Sequence, residues 1–387
     1  MTKYDYLIVG GGMTAAAAAD GIREVDADGS IGMFSSELDA PYNRPPLSKA
    51  LWKGKSLDSI WRKMKNVDLH LGSEITEIVP HQKRAMRDDG STYTYGKLLL
   101  ATGGAPRRLP FEDDQVIYFR TLADYRRLRA LTETGRRFAV IGGGFIGSEI
   151  AAALAINGKE VVMIFPGNAI GERIFPSDLA QFVSDYYLQK GIALLSNERV
   201  VASDAHGNQR VLKTAGGREV VVDGVVAGIG IEPNVALAES AGLETDNGIM
   251  VDAFLRSNKA DIYAAGDVAS FLSLGSHRRV EHEDNANSMG RLAGRNMAGM
   301  AERYDYLPSF YSDMFDLGYE AVGKLDSRFE TFADWKRPNE EGVVYYLKDG
   351  RVRGVLLWNV WGKADAAREL IAQPGPVTPQ SLKGRIA

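Results

Sequence analysis

Two glycine-rich turns of this chain have the residue types and spacing of a dinucleotide-binding turn. They are GGGMTA (10–15) and GGGFIG (142–147). In the pattern G-x-G-x-x-G/A, the first glycine makes a tight turn and the second lets a pyrophosphate approach the backbone. The small third residue lets helix and strand pack closely. A single copy could be a merely flexible turn, but two copies predict two dinucleotide sites, and hydride transfer from a nicotinamide to a flavin is the simplest chemistry for such a pair.

The residues expected to bind the ribose differ between the two copies. A carboxylate normally follows the second strand of such a unit and binds ribose hydroxyls. Glu37 takes this position after the first turn, whereas Pro166 and Gly167 stand there in the second copy, with Arg173 nearby. An arginine favours a 2′-phosphate, can equally hold a pyrophosphate, and can also be a plain surface charge. The choice between NADH and NADPH therefore stays open.

Composition excludes several other kinds of site. The chain has no cysteine, which excludes thiolate metal sites, iron–sulfur clusters held by this chain and a redox-active cysteine pair. Five histidines without an HxxxH-type pair predict no metal site built by the protein. A net charge of −4 argues against a dedicated nucleic-acid binder. Without a membrane-span-length apolar run or room for a signal peptide, the sequence predicts a cytoplasmic protein.

The elements around the turns follow one order, which is strand, glycine-rich turn, helix and strand. The two βαβ units are predicted at 6–9, 15–19 and 31–34, and at 138–141, 148–157 and 161–165. From about residue 301 aromatic residues become frequent. Strands are predicted there at 342–347 and 352–358 around the hairpin turn Lys348-Asp349-Gly350, followed by a helix at 363–371. This pattern predicts a third domain of α+β type.

Several further motifs, in the same order along the chain, carry a resemblance to a known family. They are YNRPPLSK (42–49), LLLATGGAPR (98–107), GGGFIGSE (142–149), AGIGIEPN (227–234) and IYAAGDVA (262–269). They resemble the FAD-dependent pyridine nucleotide-disulfide oxidoreductases of the ferredoxin/rubredoxin reductase type. The segments 279–299, 317–323 and 355–359 are similar to the apoptosis-inducing factor group in particular.

The resemblance implies an α/β fold with two Rossmann-like dinucleotide-binding domains, the second inserted in the first, plus an α+β C-terminal domain. The FAD-binding domain would be discontinuous, at 1–116 and 244–300. The NAD(P)-binding domain would span 117–243, and the C-terminal domain, at 301–387, would cover the flavin.

The resemblance also implies two sets of cofactor-binding residues. The set implied for FAD is Gly10, Gly12, Thr14, Ala15, Ser36, Glu37, Arg44, Lys49, Ile75, Ala101, Thr102, Gly103, Arg120, Asp267, His282, Glu283 and Tyr311. The set implied for NAD(P) is Gly143, Gly144, Phe145, Ile146, Arg173, Gly230, Glu281, Glu320 and Asn359. Three positions depart from the family pattern: Glu283 replaces a second histidine, Tyr311 replaces a tryptophan, and Gly167 stands where many members have glutamate.

Lys49 and Glu149 are the catalytic pair that the resemblance implies. An ammonium and a carboxylate beside flavin N5 can tune its potential and orient the nicotinamide. Each also has a simpler interpretation, Lys49 as a surface lysine and Glu149 as a carboxylate favoured at a helix N-terminus.

The expected activity is transfer of hydride from NAD(P)H, with NADH slightly favoured, to FAD, and then of electrons to a carrier such as a ferredoxin or rubredoxin. Basic clusters at 62–65, 126–129 and 278–279 could steer an acidic carrier. The alternative is an NADH-responsive flavoprotein, like apoptosis-inducing factor, that forms a stable charge-transfer complex and acts through dimerisation or partner binding. The oligomeric state stays open, with a homodimer as one alternative.

Overall fold

The computed structural model describes residues 2–273 and 275–386. The chain folds into two compact units. The first unit contains residues 2–45, 56–105, 231–273 and 275–306, and the second contains residues 46–55, 106–230 and 307–386. Within the described ranges, no helix combines the length and the apolar character that crossing a membrane requires.

The strands and helices are numbered in chain order. The strands are β1 (Thr2–Val9), β2 (Ile31–Ser35), β3 (Asp68–Leu71), β4 (Ile75–Val79), β5 (Arg84–Arg87), β6 (Thr92–Leu100), β7 (Gly104–Pro106), β8 (Val116–Tyr118), β9 (Arg137–Ile141), β10 (Glu160–Ile164), β11 (Ala193–Leu195), β12 (Val200–His206), β13 (Gln209–Thr214), β14 (Glu219–Val222), β15 (Gly224–Ala227), β16 (Ile231–Pro233), β17 (Ile249–Val251), β18 (Ile262–Ala264), β19 (Ala269–Ser273), β20 (Ser276–Arg278), β21 (Ser309–Met314), β22 (Leu317–Gly323), β23 (Glu330–Arg337), β24 (Glu341–Lys348) and β25 (Arg351–Trp358). The helices are α1 (Met13–Val25), α2 (Leu122–Thr134), α3 (Phe145–Ile156), α4 (Ser177–Gln189), α5 (Ala236–Ser240), α6 (Glu283–Met297), α7 (Ala364–Ala372) and α8 (Pro379–Leu382).

The first unit is built on a sheet with the strand order β3-β2-β1-β6-β5-β4, in which β18 also pairs with β6. β1, β2, β3, β6 and β18 run parallel, and β4 and β5 continue the sheet antiparallel. The apolar run that ends β1 is buried, as parallel strands covered by helices require. A parallel sheet brings the carboxyl ends of its strands, and thus the turn after β1, to one edge.

The second unit contains a parallel sheet with the order β11-β10-β9-β15-β8 and an antiparallel sheet with the order β12-β13-β14. Its C-terminal part is an antiparallel sheet, β21-β22-β25-β24-β23, with α7 packed against β22 and β25. Separate apolar clusters form the cores of the parallel sheet and the C-terminal sheet.

The predicted fold class is confirmed, since both βαβ units and the C-terminal hairpin form. Asp349 and Gly350 both adopt positive φ between β24 and β25, as a tight hairpin of this kind requires. Helix α1 starts at Met13 and α3 at Phe145, earlier than predicted, because each glycine turn leads directly into its helix. The three domain boundaries drawn from the resemblance stay a prediction.

Helices α1 and α6 pack backbone against backbone in the first unit. A Cβ on Gly294 would lie 2.0 Å from the Ala18 carbonyl oxygen, and a Cβ on Gly290 would lie 2.4 Å from that of Thr14. On α1, a Cβ on Gly21 would lie 2.0 Å from the Arg291 carbonyl oxygen. The crossing therefore leaves no room for a methyl group at these positions, and it holds the start of α1 against α6.

We expect Gly294→Ala to lower the free energy of unfolding by roughly 1–3 kcal/mol, because the added methyl group must push the two backbones apart. Urea unfolding of the variant and the wild type measures this difference. Arg291→Ala is the control, because it removes only an exposed side chain that pairs with Glu24 and leaves the backbone of the crossing unchanged, and it should cost less than about 1 kcal/mol. Equal stability of Gly294→Ala and the wild type would show that the helices are not in backbone contact.

Candidate functional site

Both glycine turns leave their strand in a conformation that only glycine adopts easily. The φ angles of Gly10 and Gly142 are +124° and +118°. A Cβ on Gly10 would lie 2.2 Å from the carbonyl oxygen of Ala101, and a Cβ on Gly142 would lie 2.4 Å from that of Gly228. Each turn is therefore pressed against the residue that follows the neighbouring strand, β6 or β15, and no larger residue fits.

The second glycine of each turn leaves the backbone bare at the start of a helix. A Cβ on Gly144 would meet no atom within 4 Å, and a Cβ on Gly12 would meet only the Arg44 guanidinium, at 3.9 Å. These glycines are the N-cap residues of α3 and α1, so no side chain of theirs covers the first helical N–H groups. A pyrophosphate can approach the positive end of either helix, and both turns therefore fit a dinucleotide.

Glu37, the predicted ribose ligand of the first unit, follows β2 and is held by its neighbours. Its carboxylate accepts a hydrogen bond of 2.7 Å from the Tyr42 hydroxyl and an ion-pair hydrogen bond from Arg44. The Ser35 hydroxyl accepts a bond of 3.2 Å from the Glu37 amide N–H. Ser36, the other predicted residue here, is exposed. The structure thus brings Glu37 and Arg44 together and adds Tyr42 and Ser35, which the sequence reasoning missed.

The other residues predicted for FAD in the first unit lie on several elements. Thr14 and Ala15 are buried in the first turn of α1, and Ile75 is buried at the start of β4. The Thr102 hydroxyl donates to the backbone carbonyl oxygen of Asn234 at 2.9 Å. The side-chain amide of Asn234 donates to the backbone carbonyl oxygen of Thr102 at 2.8 Å. This reciprocal pair fixes the segment that follows β6, where Ala101, Thr102 and Gly103 lie.

Asp267 and His282 are near enough for their charges to interact. Asp267 lies in a short turn before β19, and His282 is the N-cap residue of α6, immediately before Glu283. Burial lowers the pKa of His282 to about 4, and the charges of Asp267 and Asp284 only partly oppose this. The imidazole is therefore neutral at pH 7. Glu281, predicted for NAD(P), is in the first unit and forms an ion pair of 2.6 Å with Arg279.

A folded-state pKa of about 4 makes stability depend on pH, because the ordinary pKa of histidine is 6.5. Between these values the unfolded chain binds more protons at His282 than the folded chain. We expect the free energy of unfolding to fall as the pH drops from about 6.5 to about 4, with no contribution from His282 above that range. Urea unfolding across this range should show a shallower fall for His282→Gln. His206→Gln, which changes an exposed residue, is the control, and equal slopes for wild type and His282→Gln would contradict a neutral imidazole with a lowered pKa in the folded chain.

In the second unit, Glu149 is a buried carboxylate that receives three side-chain hydrogen bonds. It lies in α3 and is 2% exposed. Its Oε2 atom accepts from the Ser48 hydroxyl at 2.6 Å and from Lys49 Nζ at 2.7 Å. Its Oε1 atom accepts from the Ser312 hydroxyl, on β21, at 2.6 Å. Two segments distant in sequence therefore converge on the carboxylate of α3, and Lys49 and Glu149 form the ion pair that the resemblance leads one to expect.

Aromatic side chains surround this ion pair. Lys49 Nζ lies 5.1 Å from the centre of the Tyr311 ring, within the range of a cation–π contact. Tyr187 and Tyr319 are fully buried, and their burial, together with the negative charge of Glu149, raises their pKa well above the ordinary value. Both phenols therefore stay neutral, and they limit access of water to the carboxylate.

Two short turns hold Lys49 in place. It lies between the 3₁₀ turns Pro45–Ser48 and Ala50–Lys53. The indole N–H of Trp52 donates to the Leu47 carbonyl oxygen at 2.7 Å, and Asn157 donates to the Trp52 carbonyl oxygen at 3.1 Å. The last bond ties this segment to the end of α3, the helix that carries Glu149. The position of the ammonium is thus set by backbone contacts and not only by its charge.

The remaining predicted residues of the second unit lie near strand ends and loops. Glu320, on β22, accepts a bond of 2.8 Å from the Gly362 N–H, and Asn359 Oδ1 accepts one of 2.7 Å from the Gly318 N–H. Both side chains fix the loop after β25. The others lie in the turn before α3 (Gly143), at the start of α3 (Phe145, Ile146), after β8 (Arg120), after β15 (Gly230) and on the exposed loop after β10 (Arg173).

Ser48 and Ser312 are the site residues that the sequence reasoning missed in the second unit. Ser48 precedes Lys49 inside a motif that was noted, so a donor next to the lysine could have been suspected. No sequence signal connects Ser312 to Glu149, because 163 residues separate them. Among the described residues, no group of three or more His, Cys, Asp or Glu side chains is arranged to hold a metal ion.

We expect Lys49→Met to destabilise the protein by roughly 3–5 kcal/mol, because it leaves the buried Glu149 carboxylate without its counter-charge. Lys213→Met is the matched control, since Lys213 pairs with Asp204 and both side chains are about half exposed. Loss of that pair should cost less than about 1 kcal/mol. Urea unfolding compares the two variants, and equal losses would contradict an ion pair shielded from water.

The fold and the two glycine turns define a dinucleotide-binding α/β protein, and sequence comparison gives its family. Residues 4–290 match the family model described as pyridine nucleotide-disulphide oxidoreductase. Residues 336–373 match the model of the C-terminal part of mitochondrion-associated apoptosis-inducing factor. The chain therefore belongs to the pyridine nucleotide-disulphide oxidoreductase family, and the resemblance seen in its motifs is confirmed.

Relatives named as ferredoxin reductases and relatives named as apoptosis-inducing factors both match nearly the whole chain. A ferredoxin–NAD(+) reductase component of an anthranilate 1,2-dioxygenase system from Burkholderia cepacia is 35% identical, over 99% of this chain and 97% of that protein. Mitochondrial apoptosis-inducing factor 1 of Dictyostelium discoideum is 33% identical, over 95% of this chain and 78% of that protein.

Solved structures of ferredoxin reductases have the same fold. The reductase in a covalent putidaredoxin reductase–putidaredoxin complex has a TM-score of 0.92 and 28% identity, covering 99% of this chain and 96% of that one. A ferredoxin reductase from Rhodopseudomonas palustris has a TM-score of 0.90 and 29% identity, covering 97% and 96%.

Proposed function

We propose that this protein is an FAD-containing NAD(P)H reductase that passes electrons to a ferredoxin-type carrier. The observation that carries the proposal is the buried Lys49–Glu149 ion pair. It occurs in a chain with two glycine turns whose helix N-termini are not covered by an N-cap side chain. The names of the reductase relatives and the reductase–putidaredoxin complex support the same activity and the same kind of partner.

In this proposal the first unit holds FAD. The turn 10–15 would bind its pyrophosphate, Glu37 its adenosine ribose and Asp267 its ribitol. The turn 142–147 of the second unit would bind the pyrophosphate of the nicotinamide nucleotide. When bound, FAD supplies the ability to accept a hydride and to release electrons one at a time.

The chain's own contribution is a fixed charge that does not have to reorganise during the reaction. Glu149 and the Tyr311 ring hold the Lys49 ammonium, while Ser48 and Ser312 hold Glu149. An ammonium oriented in advance can stabilise negative charge as it develops, and its N–H groups can orient a bound nucleotide. The neutral phenols of Tyr187 and Tyr319 keep the surroundings apolar, which strengthens the field of this pair.

The acceptor must lie outside the chain, because without cysteine no thiol can relay electrons. Some arginines of the predicted basic clusters have other roles. Arg62 donates to Asn287 at 2.6 Å, and Arg129 lies over the Trp52 ring. Arg126 and Arg127 are more exposed than these two, although Arg127 also donates to the Asp114 carbonyl oxygen at 2.6 Å, and their exposure would let them attract an acidic carrier. The cytoplasmic location and a homodimer remain predictions.

We expect the purified protein to be yellow and its flavin to be bleached by a reduced nicotinamide nucleotide, with Lys49→Met slowing bleaching roughly tenfold or more. Stopped-flow absorbance measures this step, and ferredoxin-coupled cytochrome c reduction measures the next. Lys213→Met should behave as the wild type. A long-lived long-wavelength band with no ferredoxin turnover would instead favour the apoptosis-inducing factor type of function. A preparation that takes up no FAD would refute the proposal.

A further inference from the structure

A carboxylate reaches the place after β10 where the sequence pattern lacks one. Gly167 occupies the position at which a ribose-binding acid is expected. An ideal Cβ built on Gly167 would lie only 2.2 Å from Oε1 of Glu172. The carboxylate of Glu172, five residues further along the chain, therefore fills the space that a side chain at residue 167 would enter.

The loop that returns Glu172 to this place is firmly held. Glu172 Oε2 accepts a hydrogen bond of 2.7 Å from the Asn168 N–H. Gly171 turns the chain back with a φ of +70°, and its N–H donates to the Gly143 carbonyl oxygen at 3.0 Å. Because Gly143 belongs to the turn 142–147, the loop is tied directly to the backbone proposed to bind the pyrophosphate. The loop that carries Glu172 is thus held against the glycine turn 142–147.

The second oxygen of this carboxylate is available to a ligand. Within residues 2–273 and 275–386, no donor forms a hydrogen bond with Glu172 Oε1. A carboxylate oxygen after the second strand of a βαβ unit can accept the ribose 2′-hydroxyl of NAD. The same negative charge repels the 2′-phosphate that distinguishes NADP.

We propose that Glu172 replaces the missing acid at Gly167 and selects NADH over NADPH. This inference rests on the proposed function, because it assigns a substrate to the nicotinamide-nucleotide site. Glu172 is a specificity-determining residue in this proposal and takes no part in hydride transfer.

The neighbouring Arg173 would give the opposite preference if it bound a 2′-phosphate. Its side chain is exposed, whereas Glu172 is half-buried and bonded to the backbone. The backbone carbonyl groups of Arg173 and of the residue after it are held by hydrogen bonds. The Arg173 carbonyl oxygen accepts from the Ser327 N–H at 3.0 Å, and that of Ile174 accepts from the Tyr346 hydroxyl at 2.7 Å. We infer that the fixed carboxylate decides the preference.

Calorimetric binding of ADP-ribose and 2′-phospho-ADP-ribose to the FAD-loaded protein tests this assignment without any turnover. We expect the wild type to bind ADP-ribose roughly tenfold or more tightly than the 2′-phosphorylated ligand. Glu172→Gln keeps an acceptor for Asn168 but removes the charge, so the ratio should shift roughly tenfold towards the phosphorylated ligand. Glu219→Gln, an exposed change on β14, is the matched control and should leave the ratio unchanged.

Moving the carboxylate back to its usual position gives a second test. Gly167→Glu combined with Glu172→Gly should restore the preference for ADP-ribose, because the new side chain enters the vacated space. Gly167→Glu alone should weaken binding of both ligands, since two carboxylates then compete for one place. An unchanged affinity ratio in Glu172→Gln would overturn the assignment to Glu172. So would a wild-type preference for the phosphorylated ligand that disappears in Arg173→Gln. Failure of the wild type to bind either ligand would overturn the nucleotide site itself, and the proposed function with it.

Discussion

The buried carboxylate of Glu149 is the constraint on which much of the second unit depends. A carboxylate that is 2% exposed is tolerated only when charge and hydrogen bonds replace the water it has lost. Here the replacements are Ser48, Lys49 and Ser312, from two segments far from α3 in sequence. The requirement helps to explain why residues 46–55 fold with the second unit, although the chain on either side of them belongs to the first. This short segment is thereby placed by electrostatics as much as by apolar packing.

The two glycine turns meet a second constraint, the access of a phosphate to the N-terminus of a helix, in the same way in both units. A phosphate gains from unpaired helix N–H groups only if no side chain covers them and the strand enters the turn tightly. Gly12 and Gly144 meet the first condition, and Gly10 and Gly142 meet the second. Because these conditions concern residue type at fixed spacing, they are visible in the sequence. They also explain why the βαβ units could be predicted from the sequence.

Other parts of the site were beyond prediction for physical reasons. The contact of Ser312 with Glu149 depends on how the C-terminal sheet packs on α3, and no local pattern encodes that packing. The neighbours of Glu37 could be guessed only in part, since Tyr42 and Arg44 lie in a recognised motif but Ser35 lies at the end of a strand that looks purely structural. The hairpin around Asp349 was predictable because the turn itself needs residues that tolerate positive φ.

Under the role proposed for Glu172, the loop after β10 is an example in which a missing motif residue does not mean a missing function. A ribose hydroxyl responds to the position and charge of an oxygen atom, not to the number of the residue that carries it. A pattern search at Gly167 finds no acid there, whereas the backbone turn at Gly171 brings the acid of Glu172 into the same volume. The Gly171 N–H donates to the Gly143 carbonyl oxygen, so the loop that carries Glu172 is held against the glycine turn 142–147. In this proposal, cofactor preference is therefore a property of the folded loop as a whole.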